Sequence, residues 1–307
     1  MWNKEPRLPF SAYFPIHTNL HHRLRVLTIS DFHATSLTSI VPGVEFPVLE
    51  ILQLAHLTIT EPSPNDDPPR AIQTPFPQLR ILQIVSSFFR LAHEETPDTV
   101  DITSHVFPQL ESLELHFNTI DPSIEPSCLW QLKKLYILAR LHARIAELWF
   151  GGYLDNIHDL TLPCKFFSGS RLDSGVLETL SLPRGLRILR FMAFPSEWTT
   201  FENCARLPTN EVEVKDFEMA ASWFLHQQGS LPLDLDTVEV LVCLEKPKPE
   251  AEGAEAFFLN LDQFAKACER SGLIFRTVFR YVEPDVDRSR GWLGLMGEWM
   301  IDKEVFP

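Results

Sequence analysis

Three side chains near the middle of this sequence have the widest chemical repertoire: Glu114, His116 and Asp159. A histidine flanked by carboxylates can relay protons, provided a pocket and a nucleophile stand at hydrogen-bond reach. His17, His21 and His22 cluster near the start, but no nearby cysteine or carboxylate completes a metal set. Arg190 could serve as an arginine finger, by analogy alone. The chain carries no G-x-S-x-G, H-E-x-x-H, P-loop or G-x-G-x-x-G pattern. These residues therefore do not add up to a catalytic set, and the expectation is a non-enzyme that needs neither cofactor nor metal.

What must position them is a recurring phrase, Leu-x-x-Leu-x-Leu. It reads Leu24-Arg-Val-Leu27-Thr-Ile29, Leu49-Glu-Ile-Leu52-Gln-Leu54, Leu79-Arg-Ile-Leu82-Gln-Ile84 and Leu110-Glu-Ser-Leu113-Glu-Leu115. It continues as Leu132-Lys-Lys-Leu135-Tyr-Ile137, Ile157-His-Asp-Leu160-Thr-Leu162 and Leu186-Arg-Ile-Leu189-Arg-Phe191. The starts lie about 20–31 residues apart, a spacing that marks a repeat architecture. Within each phrase the second and third apolar positions alternate with another residue, the period of a half-buried strand. Units of one orientation stack their strands in parallel. The first apolar position then packs at a corner.

Phe-Pro precedes three of these strands in identical register, at Phe46-Pro47, Phe76-Pro77 and Phe107-Pro108. Proline suits the entry to a strand, and the phenylalanine is expected to fill the space behind it. Further strands are expected at 211–217, 235–244 and 273–282, with helices at 217–228 and 256–270 and a stop at Gly272. The segment 176–182 is read as an outer stretch leading into the strand that follows Leu186. Three segments rich in proline or polar residues read as loops: 61–74, 92–105 and 245–255.

The net charge is -14. Long-range repulsion makes nucleic acid and anionic membrane poor partners. The five cysteines, Cys128, Cys164, Cys204, Cys243 and Cys268, are scattered and form no CxxC. They read as buried free thiols of a reducing compartment. The start lacks the apolar core of a signal peptide, and no stretch approaches 18 apolar residues. The expected location is intracellular, cytoplasmic or nuclear.

With Leu110-Glu-Ser-Leu113-Glu-Leu115-His-Phe-Asn118 the chain resembles the leucine-rich-repeat family, down to the terminal asparagine of that motif. Other repeats carry Phe32, Leu57, Ser87 and Arg140 at that place, so no asparagine ladder is expected and the convex side should be irregular. The resemblance implies an α/β leucine-rich-repeat solenoid over 21–282. It would be a right-handed horseshoe with parallel strands on the concave face and irregular loops and helices outside. Residues 1–20 would be a lead-in or partial cap, and 283–307 a carboxyl-terminal cap or tail.

The phrases Phe107-Pro-Gln-Leu110-Glu-Ser-Leu113-Glu-Leu115 and Leu20-His-His-Arg-Leu24-Arg-Val-Leu27-Thr-Ile29 are similar to the repeat region of fungal F-box proteins. That resemblance implies substrate recognition for a cullin-type ubiquitin ligase. No segment resembles the F-box itself, so ligase subunits are expected as partners only if one lies upstream. The alternative is a stand-alone repeat scaffold unrelated to ubiquitin.

On either reading a protein partner is expected on the concave face. Alternation turns Gln53, Gln83, Glu114, His116, Lys134, Tyr136, Asp159, Arg190, Glu213 and Glu239 to that face. Small and amide side chains come first, then a charged stretch around Tyr136, a composition that suits a protein or peptide.

Overall fold

The computed structural model describes residues 19–30, 33–34, 45–55, 58–59, 76–85, 88–89, 101–116, 123–138, 152–168, 181–193, 211–245 and 255–282. The expectations for 1–18, 61–74, 92–100, 176–180, Cys204, 246–254 and 283–307 lie outside the described residues. In chain order the strands are β1 (Val26–Ser30), β2 (His33–Ala34), β3 (Ile51–Ala55), β4 (Thr58–Ile59), β5 (Ile81–Val85), β6 (Phe88–Phe89), β7 (Asp101–Ile102), β8 (Ser112–His116) and β9 (Ser123–Ile124). Helix α1 (Pro126–Gln131) precedes β10 (Lys134–Leu138), β11 (Asp159–Pro163) and β12 (Ile188–Met192). Then come α2 (Glu211–His226), β13 (Thr237–Glu245), α3 (Glu255–Arg270) and β14 (Ile274–Val282).

The fold is α/β, with one nine-stranded sheet in the order β1-β3-β5-β8-β10-β11-β12-β13-β14. By its internal contacts the chain divides into two units, 1–134 with 138–141, and 135–137 with 142–307.

In the first unit β1, β3, β5 and β8 pair in parallel, and the register superimposes the repeated phrase on itself. Leu27, Leu52, Leu82 and Leu113 are neighbours across the strands, as are Ile29, Leu54, Ile84 and Leu115. All eight are buried. Each such side chain is worth roughly 1.5–3 kcal/mol on burial, so this register holds the core together. The corner leucines Leu49, Leu79 and Leu110 are fully buried as well.

The Phe-Pro pairs form the turn before each strand. The Leu49, Leu79 and Leu110 N–H groups donate to the Phe46, Phe76 and Phe107 carbonyls at 3.3, 3.3 and 3.4 Å. That places proline second in a four-residue turn, where its fixed φ is already correct. The three phenylalanines are fully buried and stacked, with ring centroids 6.1 and 5.8 Å apart.

Two small sheets lie beyond the main strands. β2, β4 and β6 pair in parallel, each two residues after its main strand, and β7 pairs with β9. The polar stretch 92–105 is therefore not wholly loop, because Asp101–Ile102 is a strand whose Ile102 is buried.

In the second unit β11, β12, β13 and β14 are parallel neighbours. Two helices cover one side of them. Phe217, Phe224 and Phe264 meet edge to face at 5.6–5.9 Å, and Phe264 reaches Phe191 of β12 and Phe275 of β14. The segment 211–217 is not a strand. It opens α2, which runs unbroken from Glu211 to His226. Its Glu-Val-Glu-Val start mimics strand alternation. Val214, Phe217, Ala220, Ala221 and Phe224 nevertheless continue one buried helical stripe, and acidic residues suit a helix amino terminus. α3 ends as expected at Gly272, whose φ is +77°. Gly272 N–H donates to Glu269 O at 2.9 Å and Leu273 N–H to Cys268 O at 3.1 Å, the paired bonds of a Schellman cap.

Candidate functional site

The side chains that alternate with the core leucines form rows across the strands. In the first unit the row is Thr28, Gln53, Gln83 and Glu114, which the register makes successive neighbours. Thr28 Oγ1 donates to Gln53 Oε1 at 2.6 Å, Gln53 Nε2 to Gln83 Oε1 at 2.5 Å, and Gln83 Nε2 to Glu114 Oε2 at 2.5 Å. Every donor points the same way, toward the carboxylate. Such a chain polarises each bond in turn and ends on a charge-assisted one.

In the second unit the register row is Thr161, Arg190, Glu239 and Arg276, and Asp159 joins it diagonally from two residues earlier on β11. Arg190 lies between Asp159 and Glu239. Its Nη1 donates to Asp159 Oδ1, and its Nε donates to Glu239 Oε2 at 2.6 Å. Glu239 Oε1 also lies 3.7 Å from Arg276 Nη1. Side-chain exposure is 22% for Arg190, 14% for Asp159 and 11% for Glu239. Burial alone would lower the arginine's proton affinity, but the two carboxylates outweigh it and hold the guanidinium charged. An arginine clamped between two carboxylates is not poised to act on a phosphoryl group.

Four of the expected contact residues, Gln53, Gln83, Glu114 and Glu239, are buried rather than presented. Lateral hydrogen bonds lay them along the sheet. Tyr136 is also buried, with its hydroxyl donating to Met192 Sδ at 2.7 Å. It is a packing residue, not an exposed anchor. Lys134 is half-buried. His116 lies in β8, and its side chain is outside the described set. Glu213 stands in the first turn of α2, not on a strand, so alternation places it on no strand face. Thr28 falls on the face that alternation gives it, and Arg276 is a row member that the sequence reading did not name. Arg276 sits where the register extends the alternation by one strand.

A second set of pairs sits one residue after the corner leucine. Arg25 meets Glu50 at 2.6 Å, Arg80 meets Glu111 at 2.6 Å, and Lys133 meets Glu111 at 3.0 Å. Burial pushes the Glu111 carboxyl upward. Hydrogen bonds from Arg80 and Lys133 outweigh that and hold it below the usual range.

Cys128, Cys164 and Cys268 are buried free thiols, and burial raises all three, Cys128 to about 11 and Cys268 to about 12. A thiol so raised is a poor nucleophile. His21 and His22 have ring centroids 4.0 Å apart, and His21 meets Phe46 edge-on at 6.3 Å. Among the described residues no group of three or more histidines, cysteines or carboxylates could hold a metal ion, and no helix is long and apolar enough to cross a membrane. No protein-family model, curated protein or solved structure matches the chain.

Proposed function

We propose that the chain is a leucine-rich-repeat solenoid that binds a protein partner across its strand face, as the substrate-recognition part of an F-box-type ubiquitin ligase. The observation that carries the binding reading is the register. Equivalent positions of successive repeats stand side by side, so the side chains form extended rows rather than a ring around a reacting atom. An extended surface suits a protein better than a small substrate. In the second unit Asp159, Arg190, Glu239 and Arg276 neutralise one another, which favours binding over proton transfer. The ubiquitin part of the reading rests on the resemblance of the repeat phrases alone.

The contact residues on this reading are those the rows leave accessible, Thr28 and Lys134. A tag at the native locus, with wild type compared against Thr28→Arg and Lys134→Glu, tests both levels. Recovery of a cullin and its adaptor, together with a substrate that either variant loses at least tenfold, is the expected result. A substrate lost without any cullin leaves a repeat scaffold unrelated to ubiquitin. Partner recovery unchanged in both variants overturns the face itself.

A further inference from the structure

The last strand ends the sheet in an unusual way. β14 has nine residues, Ile-Phe-Arg-Thr-Val-Phe-Arg-Tyr-Val, with no proline, glycine or lysine. Proteins generally blunt an exposed edge with such residues or keep it short, because an open edge recruits further strands. Among the described residues only β13 pairs with β14.

The polarity of the edge follows from one bond. Ile274 N–H donates to Asp236 O at 2.8 Å, just before β13, so Ile274 and every second residue after it turn their backbone groups inward. The N–H and C=O groups of Phe275, Thr277, Phe279 and Tyr281 therefore point out along the free edge.

The side chains beside that edge differ on the two sides of the sheet. On one side, Phe275 packs against Phe264 of α3 yet stays half-buried. α3 reaches α2 through Asn260, whose Nδ2 donates to Glu218 Oε1 at 2.7 Å. Phe258, two residues earlier and so about 200° round the helix, lies on the flank turned away from α2 and is 43% exposed. On the other side Ile274 is 51% exposed, and the Arg276 side chain is 61% exposed. In a chain of net charge -14, Arg276 brings a largely exposed guanidinium to this otherwise apolar edge, 3.7 Å from the Glu239 carboxylate.

We propose that β14 takes up an extended segment of a partner protein by strand addition, and that the segment alternates apolar with acidic side chains. Its backbone pairs with the free groups of Phe275, Thr277 and Phe279. Its acidic residues fall on the Arg276 side, and its apolar residues beside Phe275 and Phe258. Main-chain bonds supply attraction and the alternating side chains supply choice, the recurring logic of strand addition.

The test uses the full chain and two capped seven-residue peptides, one alternating valine with glutamate and one alternating valine with lysine. Amide hydrogen exchange at single-residue resolution follows Phe275, Thr277 and Phe279. The glutamate peptide should slow these three amides, leave Arg276 and Val278 unchanged, and bind at least tenfold more tightly than the lysine peptide. Arg276→Ala should abolish that preference. Thr277→Pro removes an outward N–H and spares the β13 ladder, so it should keep the far-ultraviolet spectrum and lose the peptide. Equal binding of both peptides overturns the acidic partner. Exchange as slow as in β13 with no peptide present means that another part of the chain covers the edge, and this overturns the proposal altogether.

Discussion

Replacing Arg190 by methionine removes the cation from between Asp159 and Glu239 and keeps most of its volume. Both carboxylates are nearly buried, at 14% and 11% exposure, and each loses its closest donor. Breaking a buried pair by removing one partner costs about 3–5 kcal/mol, since the remaining charge is left without compensation. Here two charges remain. The Arg276 guanidinium, 3.7 Å from Glu239 and 61% exposed, recovers little in water. A loss of about 3–5 kcal/mol is therefore expected, a large share of the 5–15 kcal/mol typical of a domain. The companion is the triple replacement Asp159→Leu, Arg190→Met and Glu239→Leu, which leaves no buried charge. It should return to within about 1 kcal/mol of the parent or exceed it. Urea titrations followed by circular dichroism decide the matter, provided the slopes agree, so that midpoints report stability alone. A single variant that loses less than about 1 kcal/mol would show that water reaches the row and that the burial argument is wrong. A triple variant as unstable as the single would show that the row does more than satisfy itself.

Three further outcomes follow from the same geometry. Phe76→Ala opens a hole in the middle of the three-ring stack and should cost about 3–5 kcal/mol in the same titration, and a loss under about 1 kcal/mol would mean that the stack is not core. Glu111, held below the usual carboxylate value of 4.5, contributes stability that is full above that value and lost as pH falls through its lower folded value. The stability gap between wild type and Glu111→Gln should thus close as the pH falls below 4.5, and a gap that widens on acidification would reverse the assignment. Cys128, Cys164 and Cys268, raised by burial, should resist iodoacetamide at about pH 8 until urea unfolds the chain, and peptide mapping after brief native labelling would expose any error.

Much of this fold was legible because one phrase repeats. Leu52 and Leu54 announce a strand by alternation, and Leu49 a corner by its offset. The three Phe-Pro pairs announce a shared turn by their common register. Where the signal was local and ambiguous it misled. Glu211 to Val214 alternates like a strand, but the helical stripe through Phe217 and Phe224 decides its conformation. Asp101–Ile102 carries too few residues to show a period at all. The candidate site was legible in position and not in exposure. Alternation assigns Gln83, Glu114 and Tyr136 to a side of the strand, yet burial depends on what lies beside them, which only the pairing reveals.

The rows also explain a property that the leucines cannot supply. A strand reading Leu-x-Leu can slide by two residues past an identical neighbour and still bury two leucines, so the apolar pattern fixes the side but not the step. The polar positions are not interchangeable in that way. Slipping β5 by two against β8 would set Gln83 beside Ser112 or His116 in place of Glu114, leaving the buried carboxylate without that amide. It would also separate Arg80 from Glu111, and the alternating signs of Arg25, Glu50, Arg80, Glu111 and Lys133 make the order of strands matter as well as their offset. The side chains that look most like a binding site in the sequence therefore serve first to select one register among near-equivalent ones. Any surface for a partner must use what that selection leaves exposed, at the ends of the rows and along the outer edge of β14, which among the described residues pairs only with β13.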